Sequence, residues 1–458
     1  MTEEGGWYFS APWEPVSIRR GDALGFRAGA DYFAELLAPG LSNGTTDARW
    51  ITLLSWCLRW SHVAWRNAAG RDLSRPAHQL ARYAWLRPLE LLWVARTLKF
   101  VKHPTGQLRG RRSIQRWLDN GQQAPDFAMS PDQFGRYRQV GMYGAYRVVF
   151  RTLPGLTTGD GWTPGATALE LARIANDSLP VAARLKELPS EKGTKWGHWT
   201  TLEARYWVER GWKSSLETAG GFLPTPADAS RKPLPRNERD LLEPALFGID
   251  SIRRVTAEVL AKAKEAKSHL DLCEALASSS ELSKKLAPAS LAALPTFSRF
   301  ADASMHAMRG LWNEINQDDT NQSPPIEKLA QLPELKSRFS GLRQAGEAWL
   351  SAGARTAFPH GQPVTQLATA MRAASTPVDE LRALATHHYE RGGGRRWFAE
   401  RNGTLVPLVA ATGIAASDYR FRLGALSRLA AQCNIASMDN ALNVIAQVES
   451  DDDEGGAE

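Results

Sequence analysis

Cysteine is scarce in this chain: Cys57, Cys273 and Cys433 are the 3 in 458 residues. An odd number of widely separated thiols builds no disulfide framework, and fits buried thiols in a reducing cytoplasm. Long apolar runs are also missing. The most apolar stretch, Leu89–Phe100, is broken by Glu90, Arg96 and Lys99, short of the roughly 18–20 residues that a membrane-spanning helix needs. The opening residues, Met1 to Gly6, lack the basic and apolar regions of a secretion signal. The 9 histidines are dispersed, with no His-Glu-x-x-His and no Cys/His spacing for zinc. Walker A, Rossmann and kinase signatures are absent too. The expectation is a cytoplasmic protein with no cofactor, no metal and no membrane partner.

What the chain has in abundance is tryptophan, 17 residues of it, repeatedly beside arginine. Arg49-Trp50, Arg59-Trp60, Trp65-Arg66, Arg116-Trp117 and Arg396-Trp397 are such pairs. Indole offers a large apolar face, and guanidinium is a flat, permanent cation that stacks on it. The pairing suits packed helices with snorkelling arginines, or a surface that grips phosphates and bases. The formal charge of +7 understates the basicity, because 6 carboxylates crowd into the last 10 residues and leave +13 on residues 1–448. A body of that charge attracts polyanions, and nucleic acid is the commonest.

Apolar periodicity reads mainly as α-helix. Thr46–Asn67 and Ala77–Lys102 carry broad apolar stripes, with Pro88 expected to kink or split the second. Residues 104–113 read as a Gly/Arg-rich loop, Pro131–Arg151 as an interrupted helix, and Thr163-Pro164 as a helix start. Proline and glycine gather at 218–239, which we expect to be a linker between a Trp/Arg-rich helical domain (1–217) and a helical bundle (240–448). A second flexible point is expected at Asn316–Pro325. Asn402-Gly403 between β-prone runs predicts a hairpin over about 396–408. A helix at Ser417–Cys433, capped by Ser417 or Asp418, would complete a small winged-helix-like unit, and another helix is expected at Ser437–Val448. The acidic tail, 449–458, reads as disordered.

Several motifs carry chemistry at face value. Gly40-Leu-Ser-Asn-Gly44 matches a nucleophile elbow, but Asp31–Ala38 before it reads as helix where that elbow needs a strand. A helix stop at Pro39-Gly40 with a polar cap for the next helix is the simpler reading. Arg382 and His387 have the spacing of HEPN-type ribonucleases, where histidine acts as base and arginine holds phosphate. The same pair also suits a helix C-terminus. Glu265-Ala-Lys267 and Glu334-Leu-Lys336 resemble nuclease E-x-K pairs, but lie in helical patterns as surface charges.

The basic segments are better candidates. Arg109, Arg111, Arg112 and Arg116 surround Trp117, and Arg136, Arg138 and Arg147 follow among tyrosines. Arg391, Arg395 and Arg396, with Arg420 and Arg422, form a second basic group. The arginines would neutralise phosphates. Tyr143, Tyr146 and Phe150, at helical spacing, are expected to face the core.

Pro39-Gly-Leu-Ser-Asn-Gly-Thr-Thr-Asp-Ala-Arg-Trp50 resembles the opening of uncharacterised bacterial families associated with anti-phage defence islands. The likeness continues through Tyr137–Leu156 and the Gly394-Arg-Arg-Trp397 stretch and covers about a tenth of the chain. It implies a component of a multi-protein defence complex and carries over no catalytic residue. The expected function is a non-catalytic subunit that binds nucleic acid and other proteins. A helical ribonuclease using Arg382 and His387, and a purely structural adaptor, are the alternatives.

Overall fold

The computed structural model describes residues 22–69, 76–100, 108–109, 111–119, 127–129, 141–158, 161–178, 212–214, 234–316, 324–352, 361–391, 396–408 and 419–445. The chain is mostly helical. In order it forms α1 (Arg27–Leu37), α2 (Ala48–Ala69), α3 (Pro76–Phe100), α4 (Arg111–Asp119), β1 (Phe127–Met129), α5 (Met142–Thr152), α6 (Ala166–Asp177) and β2 (Trp212–Ser214). There follow α7 (Arg236–Phe247), α8 (Ile252–Lys262), α9 (His269–Ala277), α10 (Ser280–Ser283), α11 (Pro288–Asn316), α12 (Ile326–Leu329), α13 (Pro333–Ser351), α14 (Gln362–Ala373) and α15 (Pro377–Arg391). The hairpin strands β3 (Phe398–Arg401) and β4 (Thr404–Pro407) precede α16 (Leu423–Gln432).

Contacts divide the chain into two compact units, each made of separate stretches. One unit comprises 35–265 and 422–442; the other comprises 1–34, 266–421 and 443–458. The proline-rich stretch expected as a linker lies outside the described residues up to 233, and residues 236–239 already form the first turn of α7.

In the unit built on 35–265, α2 packs on α3 and α6. Trp56 meets Trp93 edge-on at 6.0 Å between ring centres. Tyr143 stacks on Trp162 at 5.0 Å, and Tyr83 meets Trp162 edge-on at 5.4 Å. Each ring withdrawn from water contributes about 1.5–3 kcal/mol, alongside buried Ile51, Leu54, Leu86 and Leu89. Guanidinium groups share the core. Arg82 lies 4.6 Å over Trp65, and Arg87 lies 4.0 Å over Tyr83.

Two buried ion pairs lie in this unit, one between α2 and α7 and one within α3. Arg49 is paired with Glu238 of α7, which also accepts from Thr52 Oγ1 at 3.0 Å. Arg87 and Glu90 meet at 3.0 Å with side chains 0% exposed. Burial raises the Glu90 carboxyl, while Arg87 and the backbone N–H groups of Met142 and Tyr143 pull it back. Glu90 therefore caps the N-terminus of α5, a favourable place for a carboxylate.

The other unit gathers Phe26, Phe33, Phe297, Phe421 and Trp349 between α1, α11 and α13. Phe33 lies 5.2 Å from Phe297 and 5.6 Å from Phe421. The expected hairpin is present: β3 pairs antiparallel with β4, from Phe398↔Pro407 to Arg401↔Thr404. Asn402 and Gly403 take φ of 51° and 74°, the conformation that a two-residue hairpin turn requires.

Several local expectations are corrected. Pro88 does not split α3, which continues to Phe100. Proline removes one helical hydrogen bond, and buried Trp85, Leu86, Leu89 and Leu92 around it hold the helix in place. α4 begins at Arg111, so the 104–113 segment is not loop throughout; buried Ile114 anchors it. α6 begins at Ala166, because Pro164 is taken by a bridge to Thr157. α16 is preceded by Arg422 in a left-handed conformation with no side-chain cap, and Ser417 and Asp418 lie outside the described residues. The antiparallel pair β1–β2, joining Phe127 to Ser214, was not expected. Glu265 and Lys267 occupy the turn after α8 and not a helix.

Candidate nucleic-acid interface

The 39–45 turn sets the geometry of the basic face. Gly40 has φ of 71°, and its N–H is received by Glu35 at 2.9 Å. Ser42 Oγ donates to the Ala145 carbonyl at 2.6 Å and also bonds Thr45 at 2.9 Å. The serine of the elbow-like motif is thus a structural clamp that follows a helix. Asp47 then caps α2, accepting from Arg49 N at 2.9 Å. The Tyr146 hydroxyl receives the Asp47 N–H at 2.9 Å and donates to the Asp47 carbonyl at 2.8 Å.

These bonds press the turn against α5, and Gly44 permits the approach. A Cβ there would lie 2.8 Å from Ala145 Cβ and 3.3 Å from Arg109 Nε. Arg109 therefore crosses Gly44 beside the first turn of α5. The inner face of α5 buries Met142, Tyr143, Tyr146, Val149 and Phe150. Its outer face leaves Val148, Arg151 and Thr152 exposed and Arg147 half-buried. α5 contains no carboxylate. α4 adds exposed Arg116 and half-buried Arg111.

Among the described residues no ion pair engages Arg109, Arg111, Arg116 or Arg151. Arg147 already has a partner within the fold. The surrounding segment is the source of the charge. Residues 48–158 hold 18 arginines and lysines against 5 carboxylates. Their excess of 13 equals that of the whole 1–448 body, so the remainder of that body is balanced.

The second arginine group is differently placed. Arg391, Arg396 and Arg420 belong to one unit, and Arg422 to the other. Arg422 pairs with Glu35 at 2.6 Å. Arg396 lies 3.9 Å over Tyr389 and donates from Nε to the Tyr389 carbonyl at 3.0 Å. Arg391 is exposed and Arg420 half-buried. Arg136, Arg138 and Arg395, together with the side chain of Arg112, lie outside the described residues.

Arg382 and His387 are each engaged within the fold. Arg382 is bound to Glu400 at 3.0 Å and lies 3.7 Å from Glu327. His387 is buried, and its Nε2 donates to the Leu24 carbonyl at 2.9 Å. Burial lowers it to about 4, which makes a feeble base at neutral pH. Glu334 pairs with Arg338.

The three thiols are buried, and burial pushes Cys433 up to about 12 and raises Cys57 and Cys273. Such thiols are inert. Among the described residues no three His, Cys, Asp or Glu side chains gather to hold a metal ion, and no helix is long and apolar enough to cross a membrane.

Arg151, which the sequence groups with Arg136, Arg138 and Arg147 as arginines alternating with rings, lies four residues after Arg147 on the same outward line. Comparison with family models, with curated proteins and with solved structures finds no match for this chain.

Proposed function

We propose that the chain is a non-catalytic subunit that holds the phosphate backbone of nucleic acid on the face formed by Arg109, α4 and α5. The observation that supports this most is the concentration of the surplus charge in residues 48–158, with Arg109, Arg111, Arg116 and Arg151 free of carboxylates among the described residues. On α6, by contrast, Arg173 is answered by Glu170 and Asp177. The resemblance of the Pro39–Trp50 stretch to defence-associated bacterial families supports a role in a multi-protein anti-phage assembly of the cytoplasm. The hairpin and α16 fall in different compact units, so this reading gives them no winged-helix role.

The test is binding of the full chain to labelled nucleic acid across a salt series. Phosphate contacts release counterions, so log K should fall linearly with log salt, by about 0.9 for each contact on a duplex. Arg109→Glu with Arg151→Glu should reduce the slope by about 2 and leave the circular dichroism spectrum unchanged. Absence of binding at low salt, or a flat salt response, would overturn the proposal.

A further inference from the structure

The aromatic side chains of the basic segment point to the kind of nucleic acid. We infer that the α4/α5 face takes the phosphate backbone of a double helix, without regard to sequence, and not a single strand. This deepens the reading above and rests on it.

Single strands are held by exposed rings on which successive bases stack, contributing about 1–3 kcal/mol each. Between residues 48 and 158 each described tryptophan, tyrosine and phenylalanine side chain is buried, apart from half-buried Trp117. Trp117 is itself engaged within the fold. The rings of α5 are further committed through their hydroxyls, Tyr143 to the Gly161 carbonyl and Tyr146 to Asp47. The described face therefore offers cations without a stacking platform.

A duplex asks for nothing more, because its bases are already stacked on one another and its charge density exceeds that of a single strand. Neutral side chains that could read base edges are already engaged within the fold. On α4, Gln115 Nε2 donates to Asp119 at 2.6 Å. On α5, Thr152 Oγ1 donates to the Val148 carbonyl at 2.8 Å. Exposed arginine there is placed to meet phosphate oxygens, contacts that position a duplex but carry no sequence information.

The experiment compares the full chain on a twenty-base-pair DNA duplex, an unrelated duplex of the same length, an RNA duplex and single-stranded oligothymidylate, by fluorescence anisotropy at one salt concentration. The two DNA duplexes should agree within about threefold and bind at least about tenfold tighter than oligothymidylate. The RNA arm decides which double helix is preferred, and a preference for either supports the inference. Equal or tighter binding of oligothymidylate overturns the inference but leaves backbone binding standing, as does a larger gap between the two DNA sequences. Failure of every arm at low salt overturns the proposed function, and the inference with it.

Discussion

His388 is fixed in one tautomer from both sides. Its Nδ1 donates to the Ala23 carbonyl at 2.7 Å, and its Nε2 accepts the Trp397 N–H at 2.8 Å. A second proton would set two N–H groups against each other, and burial alone already lowers this imidazole. His387 is lowered to about 4 and His269 to about 3, both chiefly by burial. In the unfolded chain histidine titrates near about 6.5. Between that value and the folded ones the unfolded state binds protons that the folded state refuses. Stability present above pH 6.5 is therefore lost as the pH falls toward 4, by roughly 1.4 kcal/mol per unit for each histidine inside the window. Asp22, whose buried carboxyl is raised, acts with the opposite sign at the carboxylate end of the range. Urea unfolding at pH 7.5, 6 and 5 should show this decline. His387→Gln keeps a donor for the Leu24 carbonyl but cannot titrate, so it should flatten the decline by about one proton; an unchanged slope would show that His387 is not a source. None of these roles was legible in the chain. His387-His388 reads equally well as a helix end, since the carbonyls that fix them lie more than 360 residues away.

Elements were legible where the signal is local. The Asn402-Gly403 turn, the stripe of α2 and the helix stop at Pro39-Gly40 follow from residues within a few positions of one another, and they occur as expected. Pro88 does not split α3, because the buried side chains around it outweigh the loss of one hydrogen bond. β1–β2 was illegible because two three-residue strands 85 residues apart, Phe127 to Trp212, leave no pattern. Glycines separate two physical causes at this scale. Gly403 and Gly40 have φ of 74° and 71°, so alanine at either suffers left-handed strain of about 1–2 kcal/mol. A Cβ on Gly403 meets nothing within 4 Å, whereas one on Gly40 would sit 2.4 Å from Thr152 Oγ1. Gly403→Ala should cost only the strain. Gly40→Ala should cost about 3 kcal/mol or more, because the turn must also lift from α5. Equal costs in chemical denaturation would mean that the turn yields freely, and that Arg109 is not held where Gly44 places it.

For the whole molecule, charge was the most legible property and its placement the least. Composition shows an isoelectric point near 9.3, but composition cannot distinguish arginines that build the fold from those that face outward. Arg49, Arg82 and Arg87 are buried, and Arg49 and Arg87 are matched to Glu238 and Glu90. Arg382 and Arg422 are answered by carboxylates at the surface. Among the described residues Arg109, Arg111, Arg116 and Arg151, on or beside α4 and α5, meet no carboxylate, and neither do exposed Arg372, Arg391 and Arg401 elsewhere. A field from the whole body would weaken in proportion to net charge wherever a charge is reversed, whereas local phosphate contacts fail only where they are made. Two double variants separate the cases, since both change the net charge by the same amount. Arg391→Glu with Arg396→Glu should leave duplex affinity within about threefold of the parent, while Arg109→Glu with Arg151→Glu should lower it by tenfold or more, a difference of about 1.4 kcal/mol or above. Equal losses in the two, measured at one salt concentration, would mean that net charge alone attracts the polyanion and that α4 and α5 hold no privileged place.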